Sequence, residues 1–579
     1  MKITWILFFV LPILMFGQVA PKNPWLADSP WPIYHTNSAR QSYSEFAGPT
    51  DSDSVVVKIL KGIKGGTSPW TYFSDPYPNG KRALLQSNAT HFMKILNTKN
   101  GPRIISKFRI DKDWLTSFSY NHLQIKGNQW YTFDPKYNPR KNISTKLYKL
   151  GDKNPKNLYS QLELKKTFDF GDYGIGKTQH SGINYLGQIV FASDNGKGKY
   201  GKCTVGILSQ DLDLLAKMDI QQVADNEIIG HNGFPVDKDN SFYLVTTHRL
   251  IRIDWDGQRL SIGFEAFYDF VNDGPTGRWA EGSGTTPSLM GFGEDSDKLV
   301  VMSDGHAKNN LVAFWREIPE DWKGIPGEDI RLAGKIQLPA AEAFSNKFQS
   351  IENSPTVYEY DVGIAQFNGF LGQGSNTLKG VQKIHWNSDE NKFEIAWVNK
   401  DINMNGVLTY SVGSNLVYGS GREDNCNYYY YGLDWDTGLV KFKKYLGKSC
   451  KALKNPLDDG GCNNIIDEEG NIYYAGGASL VKLEIVKPAS GQEEDSGNIE
   501  NKGSNDEQIL YPNPSQNYIE VSGFENDKGT KGLIFDISGQ LIAERPYEVP
   551  FYIGDLKPGL YFLKFDSDLK SKPFKFLKQ

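Results

Sequence analysis

Along most of this chain the apolar residues come in short runs, and the polar residues between them are of kinds that turn. SVVVKIL (54–60), FYLVTT (242–247), LIRIDW (250–255), KLVVMSD (298–304) and LVAFWR (311–316) are rich in β-branched and aromatic residues, and clusters such as DKDN (237–240) and GEDSD (293–297) separate them. Runs of this kind between turn clusters predict strands, and closely spaced runs predict hairpins. Within 229–316 the plan occurs twice: a polar opening containing Pro or Gly, an apolar run, an acidic turn, then two further strand-like runs.

The polar openings recur. They are Thr67-Ser68-Pro69, Asn121-His122, Gln179-His180-Ser181, His231-Asn232, Thr285-Thr286-Pro287, Asn353-Ser354-Pro355, Thr409-Tyr410 and Asn463-Asn464. From Ser68 to His122, His180, His231, Thr286, Ser354, Thr409 and Asn463 the steps are 54, 58, 51, 55, 68, 55 and 54 residues. Three share a local form: GTSPWTYF (66–73), GTTPSLMG (284–291) and ENSPTVYE (352–359). Several strands per unit at a near-constant period of this size predict an all-β fold, a β-propeller. Eight openings predict eight blades, with seven left open. The run at 54–60 has no partner nearby, and few strand-like residues follow Ile485. The N-terminal strand is therefore expected to complete the last blade and remove a free edge.

Met1 to Gly17 reads MKITWILFFVLPILMFG, a lysine followed by an apolar run too short to span a bilayer. It predicts a signal peptide over 1–18, and hence export to the periplasm. No other run is long enough to cross a membrane, so no transmembrane segment is expected. Aromatics at 13% and 58 glycines suit many short strands and tight turns. The formal net charge is −4 and no basic block occurs, which argues against nucleic acid as a partner. In an exported chain the four cysteines can form disulfides. Cys426, Cys450 and Cys462 lie close in sequence, so a staple is expected within that group, with Cys203 free or buried.

Two resemblances to known families follow from particular residues. Trp31-Pro32-Ile33-Tyr34 leading to Ser42 resembles the opening segment of quinoprotein-like propellers. Leu433-Asp434-Trp435-Asp436-Thr437-Gly438 resembles the turn of their blade motif, with Phe442 about where that motif has Trp. The resemblance spans about 30–486 and implies a quinoprotein-like (PQQ-repeat-like) propeller over 25–486. Members that bind pyrroloquinoline quinone (PQQ) use a pair of adjacent cysteines, and no two cysteines here are adjacent. A PQQ-dependent dehydrogenase is therefore the least favoured reading, and no cofactor is predicted. After it, 487–508 is polar, acidic and Gly/Ser-rich, a disordered linker by composition. Residues 509–579 closely resemble the C-terminal sorting domain of the type IX secretion system (Por). The resemblance rests on Tyr511-Pro512-Asn513-Pro514, the turn Asp536-Ile537-Ser538-Gly539, Ile553–Leu556, Lys557-Pro558-Gly559-Leu560-Tyr561-Phe562 and the final Lys575–Lys578. It implies a small β-sandwich, the secretion machinery of a Bacteroidetes-type cell as partner, and surface attachment or release.

The candidate chemistry is positional. The period puts His122, His180 and His231 at equivalent points of three successive units, so they are expected to face one another across one mouth of the channel. Arg278 and Glu281 stand just ahead of the next opening and complete a candidate catalytic set. Tyr120, Thr286, His306, Glu352, Asn353 and Tyr410 are candidate substrate-binding residues. Histidines with Tyr, Arg and Glu are the parts for acid–base work near neutral pH, and three histidines leave a metal ion open. The remaining histidines, His35, His91, His248 and His385, are expected to be structural. Two readings stay open: an extracellular enzyme, a polysaccharide lyase or hydrolase, working with His at the channel mouth, or a non-catalytic propeller binding carbohydrate or protein. A monomer is expected.

Overall fold

The computed structural model describes residues 19–61, 70–87, 91–98, 101–110, 122–134, 143–194, 203–224, 227, 233–270, 282–294, 296–306, 309–339, 353–366, 379–423, 425–451, 455–459, 464–477, 479–486, 510–511, 518–521, 530–537, 539–546, 551–566 and 573–578. The predicted signal peptide and linker lie outside them. The chain divides into two compact units, 1–487 and 488–579. None of the described helices is long and apolar enough to cross a membrane.

The first unit is a β-propeller. Its described residues form eight sheets in chain order, most of four antiparallel strands. The innermost strands of the first three sheets are Thr71–Phe73, His122–Ile125 and Lys177–Ile183. In the fourth, spanning 242–267, the innermost strand is reduced to a bridge between Val236 and Phe242. In the fifth to eighth they are Ser288–Met290, Thr356–Tyr358, Thr409–Ser411 and Asn464–Ile466. Each predicted opening thus falls at or just before an inner strand. The ring is closed as expected: Val55–Lys61 runs antiparallel to Ser479–Ile485, with Val55 opposite Ile485, as the outer strand of the eighth sheet. Phe73, Ile465, Tyr473 and Leu480 belong to one buried cluster, so first and last sheets share a core.

The turns behind the inner strands show why these residues fold this way. Asp237 Oδ1 accepts from the N–H of Asp239 (3.0 Å) and Ser241 (2.9 Å), and Asp467 Oδ1 accepts from Glu469 (3.0 Å) and Asn471 (2.8 Å). A short carboxylate that bonds the backbone two and four residues on fixes a tight turn. The residues that must then take positive φ are Asn240 (68°) and Gly470 (85°), the types that tolerate it best. Six residues after each Asp a buried tyrosine returns a bond to the other carboxylate oxygen: Tyr243 to Asp237 at 2.8 Å and Tyr473 to Asp467 at 3.0 Å.

Neighbouring inner strands are laced by their first polar residues. Thr356 Oγ1 donates to Leu408 O (2.6 Å), Thr409 Oγ1 to Asn464 O, and Asn353 Nδ2 to Asn405 O (3.2 Å). Cys426 and Cys450 form a disulfide, a pairing inside the expected group, and Cys203 is buried. Cys462 lies outside the described residues.

In the second unit a sheet of Leu541–Pro546, Lys531–Phe535, Gly559–Phe565 and Phe574–Lys578 accompanies a smaller one of Leu510–Tyr511, Tyr518–Val521 and Phe551–Tyr552. Ile519, Val521 and Phe551 from the small sheet share one core with Ile534, Leu563 and Phe576 from the large one. Two sheets over one core make the small β-sandwich.

Candidate functional site

The centre of the propeller is occupied by its own chain. The segment between Asn23 and Ser44 lies along the inner strands and bonds to one sheet after another. Trp25 O accepts from Lys126 N (2.9 Å), Trp31 O from Phe73 N (3.2 Å), Ser38 O from Val236 N (2.8 Å) and Ala39 O from Leu289 N (2.9 Å). Gln41 O accepts from Val357 N (2.8 Å) and Ser42 O from Tyr410 N (3.2 Å), and Tyr43–Ser44 pairs in parallel with Tyr410–Ser411. Trp31, Tyr34, His35, Trp70 and Tyr72 are buried, with ring centroids 3.8 Å apart for Tyr34 and His35 and 4.1 Å apart for Tyr34 and Trp70. The segment takes φ near +57° at His35, +72° at Thr36, +63° at Arg40 and +57° at Ser42. Positive φ at non-glycine residues costs roughly 1 kcal/mol or more each and persists only where the surroundings impose it.

Arg40 is the hub. It is 1% exposed, and its guanidinium donates to Phe234 O (Nε, 3.0 Å), Tyr34 O (Nη1, 2.7 Å) and Ser181 O (Nη2, 3.2 Å). Burial lowers its pKa to about 10. His35 shares a hydrogen bond with Ser42 Oγ. Burial, and then the nearby Arg40 charge, hold the His35 pKa well below the usual histidine range.

The sequence-derived candidates separate into three groups. Tyr120, His231, Arg278, Glu281 and Glu352 lie outside the described residues, as does the His122 side chain, although His122 opens an inner strand. Four are buried parts of the fold. His180 is fully buried in its inner strand, next to a bulge between Thr178 and His180. Thr286 meets the Tyr34 hydroxyl at 2.8 Å, and Asn353 donates to Ala365 O (3.3 Å) and Asn405 O. Tyr410 bonds Asn415 Oδ1 at 3.0 Å and stacks on Trp435 at 4.4 Å. His306 is exposed, on a turn organised by Asp304, whose carboxylate accepts from the His306 N–H at 3.1 Å.

The structure also shows a buried polar set that the spacing did not single out. Asp458 and Asp459 precede the eighth inner strand. Asp458 accepts from Asn405 Nδ2 (2.9 Å) and the Tyr428 hydroxyl (3.2 Å). Asp459 is 1% exposed, and its Oδ2 accepts from Ser420 N at 3.3 Å. Burial, and then the charge of Asp458, push the Asp459 pKa well above the usual carboxylate range. The folded protein thus holds a proton that the unfolded chain releases from about pH 4 upward. The stability this contributes is full below that pH and is lost as pH rises through the folded value. Asp459→Asn, which cannot ionise, should remove that component. The melting temperature of the parent relative to the variant should decline from pH 5 to pH 8, and parallel profiles would contradict the assignment. The signal for this set was the doublet itself, five residues ahead of Asn464, at an opening otherwise read as Asn463-Asn464 alone.

One part of the chain matches a known family. Residues 509–579 match the family described as the secretion system C-terminal sorting domain. The chain carries a type IX sorting tail and is addressed to the cell surface or the medium. It is 29% identical over 448 residues to an uncharacterized protein of Archaeoglobus fulgidus, covering 73% of this chain and 82% of that protein. Among solved structures it is similar to the quinohemoprotein alcohol dehydrogenase of Comamonas testosteroni, with a TM-score of 0.48 and 10% identity over 83% of this chain and 84% of that one. It is also similar to the periplasmic gluconolactonase PpgL of Pseudomonas aeruginosa, with a TM-score of 0.37 and 10% identity over 69% of this chain and 98% of that one. The propeller assignment stands on the sheet topology.

Proposed function

We propose that this chain is an exported propeller that binds an extracellular glycan at its surface and does not turn it over. The observation that carries the reading is the filled centre: the segment through Trp31, Tyr34, His35 and Arg40 bonds to the inner strands where a channel-mouth enzyme would need an open polar pocket. His180, Thr286, Asn353 and Tyr410, all candidates for that pocket, are buried in the fold. The reading calls on no cofactor and no metal. The sorting tail supports an extracellular site of action, as a surface-held or released monomer. The competing enzyme reading assigns acid–base chemistry to His122, His180 and His231 with Arg278 and Glu281.

The test applies the secreted protein to a panel of polysaccharides. Affinity electrophoresis reads retention, and reducing-end and ultraviolet assays read hydrolysis and unsaturated lyase products. Retention by at least one polysaccharide without product is the expected result. Saturable product formation that is lost in His180→Ala would overturn the reading in favour of the enzyme.

A further inference from the structure

A cleft of about 360 Å³ opens where the outer strand of the first sheet, Gly101–Arg109, meets the loop 153–161 of the second. Its volume lies in the range of small-molecule sites, roughly 300–1,000 Å³. It is lined by Leu96, Thr98, Arg103, Ile104, Ile105 and Tyr159. We infer that this cleft is a binding site for a small aromatic carboxylate, with Arg103 taking the acid group and Tyr159 the ring. The inference does not depend on the glycan-binding reading above.

The chain builds the cleft by a local irregularity. A strand normally turns successive side chains to opposite faces, yet Arg103, Ile104 and Ile105 all line the cleft. Lys94 pairs with Ser106 and Ile95 with Ile104, which leaves Ile105 as an extra residue on the outer strand. A bulge of this kind re-aims side chains. Across the cleft the loop is laced by its own polar residues. Asn157 Oδ1 accepts from Tyr159 N (2.9 Å), Ser160 Oγ from Asn154 N (2.8 Å) and Gln161 O from Lys153 N (3.0 Å). Two further bonds tie the loop to the outer strand: Ser106 Oγ donates to Gln161 Oε1 (3.2 Å), and Gln161 Nε2 to Ile105 O (3.3 Å). The guanidinium and the ring thus stand on backbone that is fixed before binding, so less freedom is lost on binding.

Three features select the ligand. The first is an apolar floor. Leu96 packs with Tyr77, Ala83 and Leu158 in one cluster, with Ile105 against it, and Ile104 adds a third aliphatic side chain to the lining. Such a floor suits a flat apolar body. It offers the hydroxyls of a sugar no carboxylate or amide among the described lining side chains, and the Thr98 hydroxyl already donates to Gly101 O at 2.7 Å. The second is the Tyr159 ring, 59% exposed, against which another ring can pack. The third is Arg103, also exposed. Among the described residues no ion pair or hydrogen bond engages its guanidinium. The two carboxylates that bracket the loop are already partnered: Asp152 accepts from Lys94 (2.7 Å) and Tyr77 (2.6 Å), and Glu163 from Lys165 (2.6 Å). A guanidinium meets a carboxylate in a two-bond fork and also stacks on aromatic rings, so it can serve both parts of such an acid.

The test is calorimetric titration of the full secreted chain with three probes: para-hydroxycinnamate, the neutral alcohol of the same skeleton, and galacturonate. Arg103 and Tyr159 lie at exposed positions, so circular dichroism should show unchanged folds for Arg103→Gln, Tyr159→Ala and Tyr159→Phe. Para-hydroxycinnamate should bind in preference to the other two. Arg103→Gln should weaken it about 3- to 10-fold, as for loss of one charge-assisted contact. Tyr159→Ala should weaken it about 2- to 10-fold, whereas Tyr159→Phe, which keeps the ring, should bind like the parent. No binding of para-hydroxycinnamate, or binding that Arg103→Gln and Tyr159→Ala both leave unchanged, would overturn the site. Equal affinity for the alcohol would overturn the role of the carboxylate, and preference for galacturonate would overturn the aromatic class.

Discussion

Arg40→Ala should be among the most destabilising single changes in the propeller. The guanidinium holds three backbone carbonyls, of Tyr34 in its own segment, Ser181 in the third sheet and Phe234 ahead of the fourth. Alanine leaves all three buried without that donor, and each buried polar group so stranded costs about 1–3 kcal/mol. The variant should therefore lose at least about 3 kcal/mol, and the cavity left by the side chain adds to this. Arg40→Lys should recover only part, because an ammonium cannot reproduce the fork that reaches three divergent acceptors. Denaturant titration of parent, Lys and Ala forms gives the order, and an Ala midpoint close to the parent's would show that the segment does not tie the sheets together. Acid should weaken the same region: His35 is held neutral in the fold, so the stability tied to it falls as pH drops below the usual histidine value of about 6.5.

Removing 509–579 should abolish delivery to the cell surface or the medium. The match to the secretion sorting family is confined to those residues, and they form a sandwich whose core of Ile519, Ile534, Phe551, Leu563 and Phe576 is entirely their own. The propeller core likewise draws on its own sheets, so the shortened chain should fold and accumulate in the periplasm. Fractionation with protease accessibility on intact cells reads the outcome. Fusing 509–579 to a periplasmic reporter should carry the reporter outward. Undiminished surface display of the shortened chain would refute the sorting role.

The fold was legible in the sequence to the extent that it is local. Runs such as SVVVKIL, KLVVMSD and LVAFWR are strands because their composition and bounding turns act within a few residues, and the openings fall at the inner strands because each unit repeats one plan. The occupied centre was not legible. Trp31 to Ser42 reads as a motif, but its place is set by bonds such as Ser42 to Tyr410, across hundreds of residues. The direction of a candidate side chain was not legible in the period for a different reason. Equivalent chain positions lie on equivalent strands, yet one residue of register decides which face a side chain takes. The bulge between Thr178 and His180 makes that local shift, so the spacing located the His180 strand and not the direction of its imidazole.

The pairing of Val55 with Ile485 sets a timetable for folding. The two are 430 residues apart by subtraction, so the last seam of the ring is its least local contact. At about 5–20 residues per second, a ribosome needs roughly 20–90 s between making one strand of that seam and making the other. For that interval the 55–61 strand, apolar and rich in valine, waits with an open hydrogen-bonding edge. An interval of this kind invites pairing with the wrong chain, so the yield of this protein should depend on what shields its first strand until its last arrives.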